Sequence, residues 1–270
     1  MLPIKSKTKA KNIDIKPFPI GVSAVGYFTG LDVEIFDNPS IKAIHESGCY
    51  GINPKPRQAT VYGQEKNITK LTEAEYKRHL DWKKKFGENS SFECDSEMVE
   101  VNNETVSDPF NISDTLVLFP EEAFFLHHII ECLKIQDLDN QIIPTKELWR
   151  KFCKLKESFV ERYVTYLYLK SKNWVIKSGI KFGGHFLLYK HGPHLNHASF
   201  IVIVSKEGAK RKSSIEYHTN ERVAETTGKN LLYVEVYFPK NVKPEDYLEN
   251  IDKFQCKELF IHRIEIEKQK

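Results

Sequence analysis

Residues 174 to 205, WVIKSGIKFGGHFLLYKHGPHLNHASFIVIVS, constrain the fold of this chain more than any other stretch. Two runs of apolar, β-branched and aromatic residues, Phe186 to Tyr189 and Phe200 to Val204, flank a polar loop carrying Gly192, Pro193 and the histidines His191, His194 and His197. Runs of this kind bounded by turn residues read as strands joined by a loop. Tyr189 ends the first run and His197 opens the second, so the loop delivers a phenol and an imidazole to the same end of a strand pair. That end is the candidate active site.

Several function classes drop out on composition. At 270 residues, 40% of them hydrophobic, the chain can bury a core of one to two domains. No apolar run approaches the roughly 18 residues needed to span a bilayer. The opening MLPIKSKTKAKN lacks the apolar core of a signal peptide. The sequence therefore predicts a soluble, intracellular protein with no membrane segment. Cys49, Cys94, Cys132, Cys153 and Cys256 are scattered and form no CxxC pair, which fits reduced thiols and excludes a zinc ribbon. A formal charge of +3 does not by itself imply a nucleic-acid partner.

Four segments follow from the pattern. Residues 1–87 form an N-terminal region. It opens on Lys5, Lys7, Lys9 and Lys11, a basic arm able to touch phosphates but more simply a solvated tail. Short apolar pieces broken by Gly and Pro from Ile13 to Tyr62 read as irregular structure packed on something else. A capping box, Thr72 with Glu75, starts a surface helix. Residues 88–113 read as a linker separating this region from the folded body, because positions 88 to 108 carry seven acidic residues and no basic one. Residues 114–156 hold a strand at Thr115 to Phe119, a helix from Glu121 to Ile135 and a second helix from Thr145 to Lys154. In the first helix Pro120, Glu121 and Glu122 suit the positive end of the dipole. Residues 157–270 form the catalytic half. Its first helix, Ser158 to Lys170, carries a core-facing aromatic stripe; further on come a helix at Ser213 to Thr226 and strands at Asn230 to Phe238 and Glu258 to Glu265. The fold class is α/β (α+β), an N-terminal mixed helical region followed by a mixed-sheet domain.

Each chemical residue also has a plain structural reading. Tyr189 could pack on the sheet as a strand-end aromatic, and His197 could cap or brace the loop. His191, His194 and His197 recur every third residue, yet Gly192 and Pro193 argue for a loop, and no acidic residue or Cys in it completes a zinc ligand set. Lys229 follows Gly228 at the start of a strand, where a basic residue can simply be solvated. Spacing alone does not select among these.

The run YLKSKNWVIKSGIKFGGHFLLYKHGPHLNHASFIVIV resembles the signature of the tRNA-splicing endonuclease catalytic subunits. These carry a Tyr at a strand end, a following Gly-Pro, a His before Ala, and later a Lys ahead of an apolar strand. The matching positions here are Tyr189, Gly192-Pro193, His197-Ala198 and Lys229 before LLYVEV. Upstream, LFPEEAFFLHHIIECLKI, ESGCYG and LTEAEYKRHLDW resemble the subunit that cuts the 5′ splice site.

The resemblance implies a tRNA-intron-endonuclease fold acting on intron-containing pre-tRNA in the nucleus, with no cofactor and no metal. A ribose 2′-OH attacks its own 3′ phosphate, leaving a 2′,3′-cyclic phosphate and a 5′-OH. Tyr189 would act as general base, needing a neighbouring ammonium to lower a phenol that ordinarily titrates near 10. Lys229 would supply that field and stabilise the charge on phosphorus. His197 would protonate the departing 5′ oxygen. Arg222 corresponds to an arginine that contacts RNA by stacking on a flipped base; its plain reading is a helix-surface Arg paired with Glu225. Where the family often has a Trp, this chain has Ile264. The implied assembly is a heterotetramer with a second catalytic subunit and two structural subunits. The alternatives are a non-catalytic structural paralogue and the catalytic subunit for the 3′ site.

Overall fold

The computed structural model describes residues 18–52, 69–70, 98–101, 104–107, 115–209 and 214–261. Strands β1 (Ala24–Phe28) and β2 (Val33–Ile35) form an antiparallel hairpin. Helix α1 (Asn38–Glu46) follows; Asp37 caps it by accepting the Ser40 N–H at 3.0 Å. Strands β3 (Thr69–Lys70), β4 (Met98–Val101) and β5 (Glu104–Ser107) make a small sheet of their own. The chain then rejoins the first sheet. β6 (Leu116–Leu118) pairs antiparallel with β2, and after helix α2 (Pro120–His128) strand β7 (Leu133–Gln136) lies parallel to β1, in the order β6-β2-β1-β7.

Three expectations are corrected here. The segment from Ile13 to Tyr62 is not irregular throughout, since it supplies two strands and a helix. The acidic stretch 88–113 contains β4 and β5, and it does not set the N-terminal region apart from the folded body: the two sides of it share one sheet. The helix expected to run to Ile135 stops at His128, because Glu131 takes a left-handed φ of 58° and Leu133 to Ile135 extend to pair with β1. The basic arm, the Thr72 helix and Ile264 lie outside the described residues.

Helices α3 (Thr145–Leu155) and α4 (Phe159–Ser171) pack on α2. The Phe124 ring of α2 sits among Trp149, Phe152, Phe159 and Tyr163, with its centroid 5.0 Å from Tyr163 and 5.2 Å from Trp149. Tilted and edge-to-face ring pairs of this kind add roughly 0.5–1.5 kcal/mol each beyond the area they bury. The aromatic stripe of α4 is core, as its spacing predicts: Phe159, Tyr163 and Tyr166 are fully buried.

The C-terminal sheet has the order β12-β11-β10-β9-β8, from β8 (Val175–Ser178), β9 (Phe186–Tyr189), β10 (Phe200–Lys206), β11 (Asn230–Tyr237) and β12 (Gln255–Ile261). β10 and β11 run parallel, joined through helix α5 (Ser214–Thr226), and the remaining pairs are antiparallel. A parallel pair needs such a crossover. Alternation splits the side chains between two faces. Phe186, Leu188, Val202, Leu232 and Val234 join the main core, whereas Leu187, Ile201, Ile203, Leu231 and Tyr233 form a second cluster with Ala224 of α5.

Candidate active site

Three strands bring the expected residues into one row. Leu188 of β9 faces Phe200 of β10, and Phe200 lies beside Asn230 of β11. Tyr189 ends β9 and Lys229 directly precedes β11, so both stand at the same end of the sheet, on either side of β10. Two backbone bonds close that end: the Ser199 N–H donates to Leu188 O at 2.8 Å and the Asn230 N–H to Ser199 O at 3.0 Å. His197, two residues before Ser199, is exposed on the connecting loop. Neighbouring strands lie about 4.8 Å apart, so the row spans roughly 10 Å of backbone, a width that side chains of this length can close over one phosphodiester.

Lys229 is placed by the way α5 ends. Gly228 takes a φ of 63°, its N–H donates to Glu225 O at 3.0 Å, and the Lys229 N–H donates to Ala224 O at 2.9 Å. These are the paired bonds of a Schellman stop, with glycine at the left-handed position and Lys229 directly after it. The Lys229 Nζ donates to Thr227 O at 3.0 Å and lies 4.4 Å from the centre of the Phe182 ring. Burial lowers its pKa from the usual lysine value.

Tyr189 is half-buried and packs, with Phe182, Tyr217 and Val223, against the cluster beneath α5. Burial raises its phenol above the ordinary value near 10. The lowering by a neighbouring ammonium expected from the sequence is thus not found in the chain by itself: the Lys229 ammonium rests on Thr227 O and Phe182 instead.

The histidine loop is a turn, not a helix, through residues 193–195. Gly192, at φ 135°, accepts the N–H groups of Leu195 and Asn196 at 3.3 and 3.1 Å, and Asn196 is buried. The φ of Gly192 favours glycine, and a Cβ there would also be crowded, 3.0 Å from the His194 ring and 3.1 Å from Cys49 Sγ. Among the described residues no three His, Cys, Asp or Glu side chains are grouped to hold a metal ion. Arg222 is exposed on α5, on the helix that ends by delivering Lys229, and stands outside the row.

Sequence reasoning missed the support beneath the loop. The turn after α1 brings Cys49, left-handed at φ 59° and 3% exposed, up to the loop, where its Sγ lies 3.8 Å from His194 Nδ1. The next residues lock the turn: the Gly51 N–H donates to Glu122 at 3.2 Å and the Lys177 ammonium to Gly51 O at 2.6 Å. Glu122 is 3% exposed, and burial raises its pKa against the pull of the Lys177 and Lys170 ammoniums. Lys170 Nζ sits 4.2 Å from the Tyr50 ring centre, and burial brings it down to about 8. Beside it Glu121, 1% exposed, pairs with Arg162 and, at 3.7 Å, with Lys156. A Glu-Glu pair at a helix start signals a favourable dipole; nothing in it signals burial.

This support makes stability depend on acid. The His45 imidazole, its Nδ1 3.0 Å from Tyr50 O, is lowered from 6.5 to about 4, by burial first and then by the Lys177 ammonium. A base held below its unfolded value stabilises the fold above pH 6.5, and that contribution is lost as pH falls toward 4. Unfolding free energy should drop by on the order of 3 kcal/mol across that window on this account alone. Denaturant melts of His45→Asn should be flatter over the same window; an unchanged slope would mean that His45 is not the titrating group.

Two family models match the chain. The tRNA intron endonuclease N-terminal domain matches residues 24–149, and the tRNA intron endonuclease catalytic C-terminal domain matches residues 159–243, the part that holds the strand-end row. The chain belongs to the tRNA intron endonuclease family. Relatives within it carry the same stamp. A rice protein named probable tRNA-splicing endonuclease subunit Sen2 is 45% identical over 92 residues, covering 34% of this chain and 31% of the relative. The Arabidopsis thaliana subunit Sen2-1 is 34% identical over 122 residues, covering 43% and 50%. The mouse subunit Sen2 is 32% identical over 164 residues, covering 57% and 35%. The matches thus span about a third to a half of these relatives. In family terms the boundary between the two domains falls between residues 149 and 159, across the second half of α3 and the turn after it, and β1 to β7 belong with the N-terminal domain. Among the described residues no helix is long and apolar enough to cross a membrane.

Proposed function

We propose that this chain is the catalytic subunit that cuts the 5′ splice site of intron-containing pre-tRNA, by metal-independent transesterification that leaves a 2′,3′-cyclic phosphate and a 5′-OH. The observation that carries the reading is the row at one sheet end, with phenol, imidazole and ammonium on three adjoining segments. Tyr189 takes the proton of the 2′-OH, His197 gives one to the departing 5′ oxygen, and Lys229 stabilises the charge building on the non-bridging phosphate oxygens. The nucleophile belongs to the RNA, so no Ser or Cys nucleophile is called for. Burial raises the Tyr189 phenol in the chain by itself, and only its phenolate form can accept the 2′-OH proton, so the base role calls for a cation beside the phenol in the assembled, RNA-bound enzyme.

The names of the relatives support the subunit type, and the upstream resemblance supports the 5′ site. The work of excision is shared with a second catalytic subunit and two structural subunits in the nucleus. Strand β12 supports pairing with a structural subunit, because it ends the sheet order among the described residues and leaves Leu259 57% and Phe260 43% exposed. Arg222 contributes to RNA binding from the exposed side of α5.

Cleavage of a short prefolded pre-tRNA by the assembled enzyme should be nearly unchanged by EDTA once another cation holds the RNA fold. The upstream fragment should end in a cyclic phosphate. A requirement for Mg²⁺ or Zn²⁺ on that substrate, or a 3′-OH product, would overturn the proposed chemistry.

A further inference from the structure

Phe182 lies in the 174–205 stretch but outside its two strands and its histidine loop, and the chain shapes a tight turn to present it. It ends a single 3-10 turn, Ile180–Phe182, closed by Gly183 at φ 70°. The Phe182 and Gly184 N–H groups both donate to Gly179 O, at 2.8 and 3.1 Å, and the Gly179 N–H donates to His185 O at 3.1 Å. A Cβ at Gly179 would lie 2.9 Å from Gly184 backbone atoms, and one at Gly184 would run into Ile201, so the turn closes only with glycine at both positions. The ring it presents packs into the same cluster as Tyr189 and Val223 and lies under the Lys229 ammonium. Among the described residues, the ring face and the Thr227 carbonyl that meet that ammonium are both neutral. They hold the cation in place without cancelling its charge. An ammonium has three donors, and with one on Thr227 two are left for phosphate oxygens.

We propose that Phe182 is a positioning residue for the reaction: its ring face holds the Lys229 ammonium at the strand-end row and keeps its charge available to the scissile phosphate. The proposal rests on the reading of Lys229 given above. A cation over a ring is attracted by the ring's quadrupole, which leucine of similar bulk lacks and which fluorination weakens step by step.

The test is single-turnover cleavage by the assembled enzyme on a prefolded pre-tRNA, with variants matched in thermal stability. Phe182→Tyr should stay within about twofold of the native rate. Phe182→Leu should lose about 3- to 30-fold in the chemical step, with RNA affinity unchanged. Phenylalanines with one, two and three ring fluorines at position 182 should fall in order between them. In a Lys229→Met background, Phe182→Leu should have no further effect. A fluorine series that stays flat while Leu falls would mean that the ring only fills space, and the proposal would be wrong. If Lys229→Met abolishes cleavage while Phe182→Leu is silent, Phe182 alone is misread. If Lys229→Met cleaves normally, the reading of Lys229 fails and the role of Phe182 fails with it.

Discussion

Replacing His197 by Ala in the assembled enzyme is expected to lower cleavage at one splice site by about 10²- to 10⁴-fold, the usual range for losing a general acid. Cutting at the other site should persist. Location makes the experiment clean. His197 is exposed, whereas the loop around it is held by buried Asn196 and by the two bonds to Gly192 O. Removing the imidazole therefore leaves the loop's fastenings in place, and the loss reads as chemistry rather than unfolding. A substrate whose 5′ leaving oxygen is replaced by sulfur needs little protonation and should recover most of the rate. Loss confined to the 5′ cut supports the proposed division of labour, and loss confined to the 3′ cut would move this chain to the other catalytic position. Equal loss of both would sink the idea that each catalytic subunit owns one site.

Glu122→Gln should destabilise the full chain by about 3–5 kcal/mol at neutral pH, the cost of leaving buried charge uncompensated. Its carboxylate is buried with Lys170 and Lys177, and it also accepts the Gly51 N–H. Without it, the Lys170 ammonium is left against the Tyr50 and Tyr166 rings and the Lys177 ammonium on Gly51 O, both without the Glu122 charge that favours them. A melting-temperature drop on the order of 10 °C is the readout. The pH dependence identifies the cause. Both lysines are already lowered by burial, Lys170 to about 8, and losing the carboxylate lowers them further. A base depressed in the folded state regains stability as pH rises from its folded value toward its unfolded one. The variant's lysines lose their protons at lower pH than the native ones, so the defect should shrink as pH rises toward about 8 and level off above it. Lys177→Met added to Glu122→Gln should recover part of the loss, because it removes one of the stranded charges. A defect that is constant with pH and untouched by the second substitution would point to lost packing instead.

Where local pattern and tertiary context agree, the sequence was readable. Strands β9 and β10 are dense β-branched and aromatic runs flanked by turn residues, and Gly228 just past Thr226-Thr227 is the residue a helix stop favours. The row of Tyr189 and Lys229 followed from the motif, since each ends or opens an element whose limits are written locally. The N-terminal strands were not readable for the opposite reason. β1 and β2 have five and three residues, and β1's parallel partner β7 lies about a hundred residues further on. The expected length of α2 failed on Glu131, a residue common in helices that here adopts a left-handed backbone. The burial of Glu122, Lys170, Lys177 and Cys49 escaped notice because each looks like a surface or spare residue until the two domains are brought together. Burial of a charge is a property of the pair.

The seat that Cys49 to Gly51 provide beneath the histidine loop bears on how this chain can be taken apart. The residues proposed to do chemistry all lie in one domain, which suggests a portable module. The loop carrying His197 nevertheless rests on a thiol from the other domain, and Lys177, in the strand next to the one bearing Tyr189, finds its carbonyl and its carboxylate there as well. Cut along the domain boundary, the catalytic half would keep every reactive group and lose the surface that holds one of them in register. The candidate site is in this sense borrowed ground, and any grafting of the catalytic C-terminal domain has to carry the turn after α1 with it as an unstated part of that site.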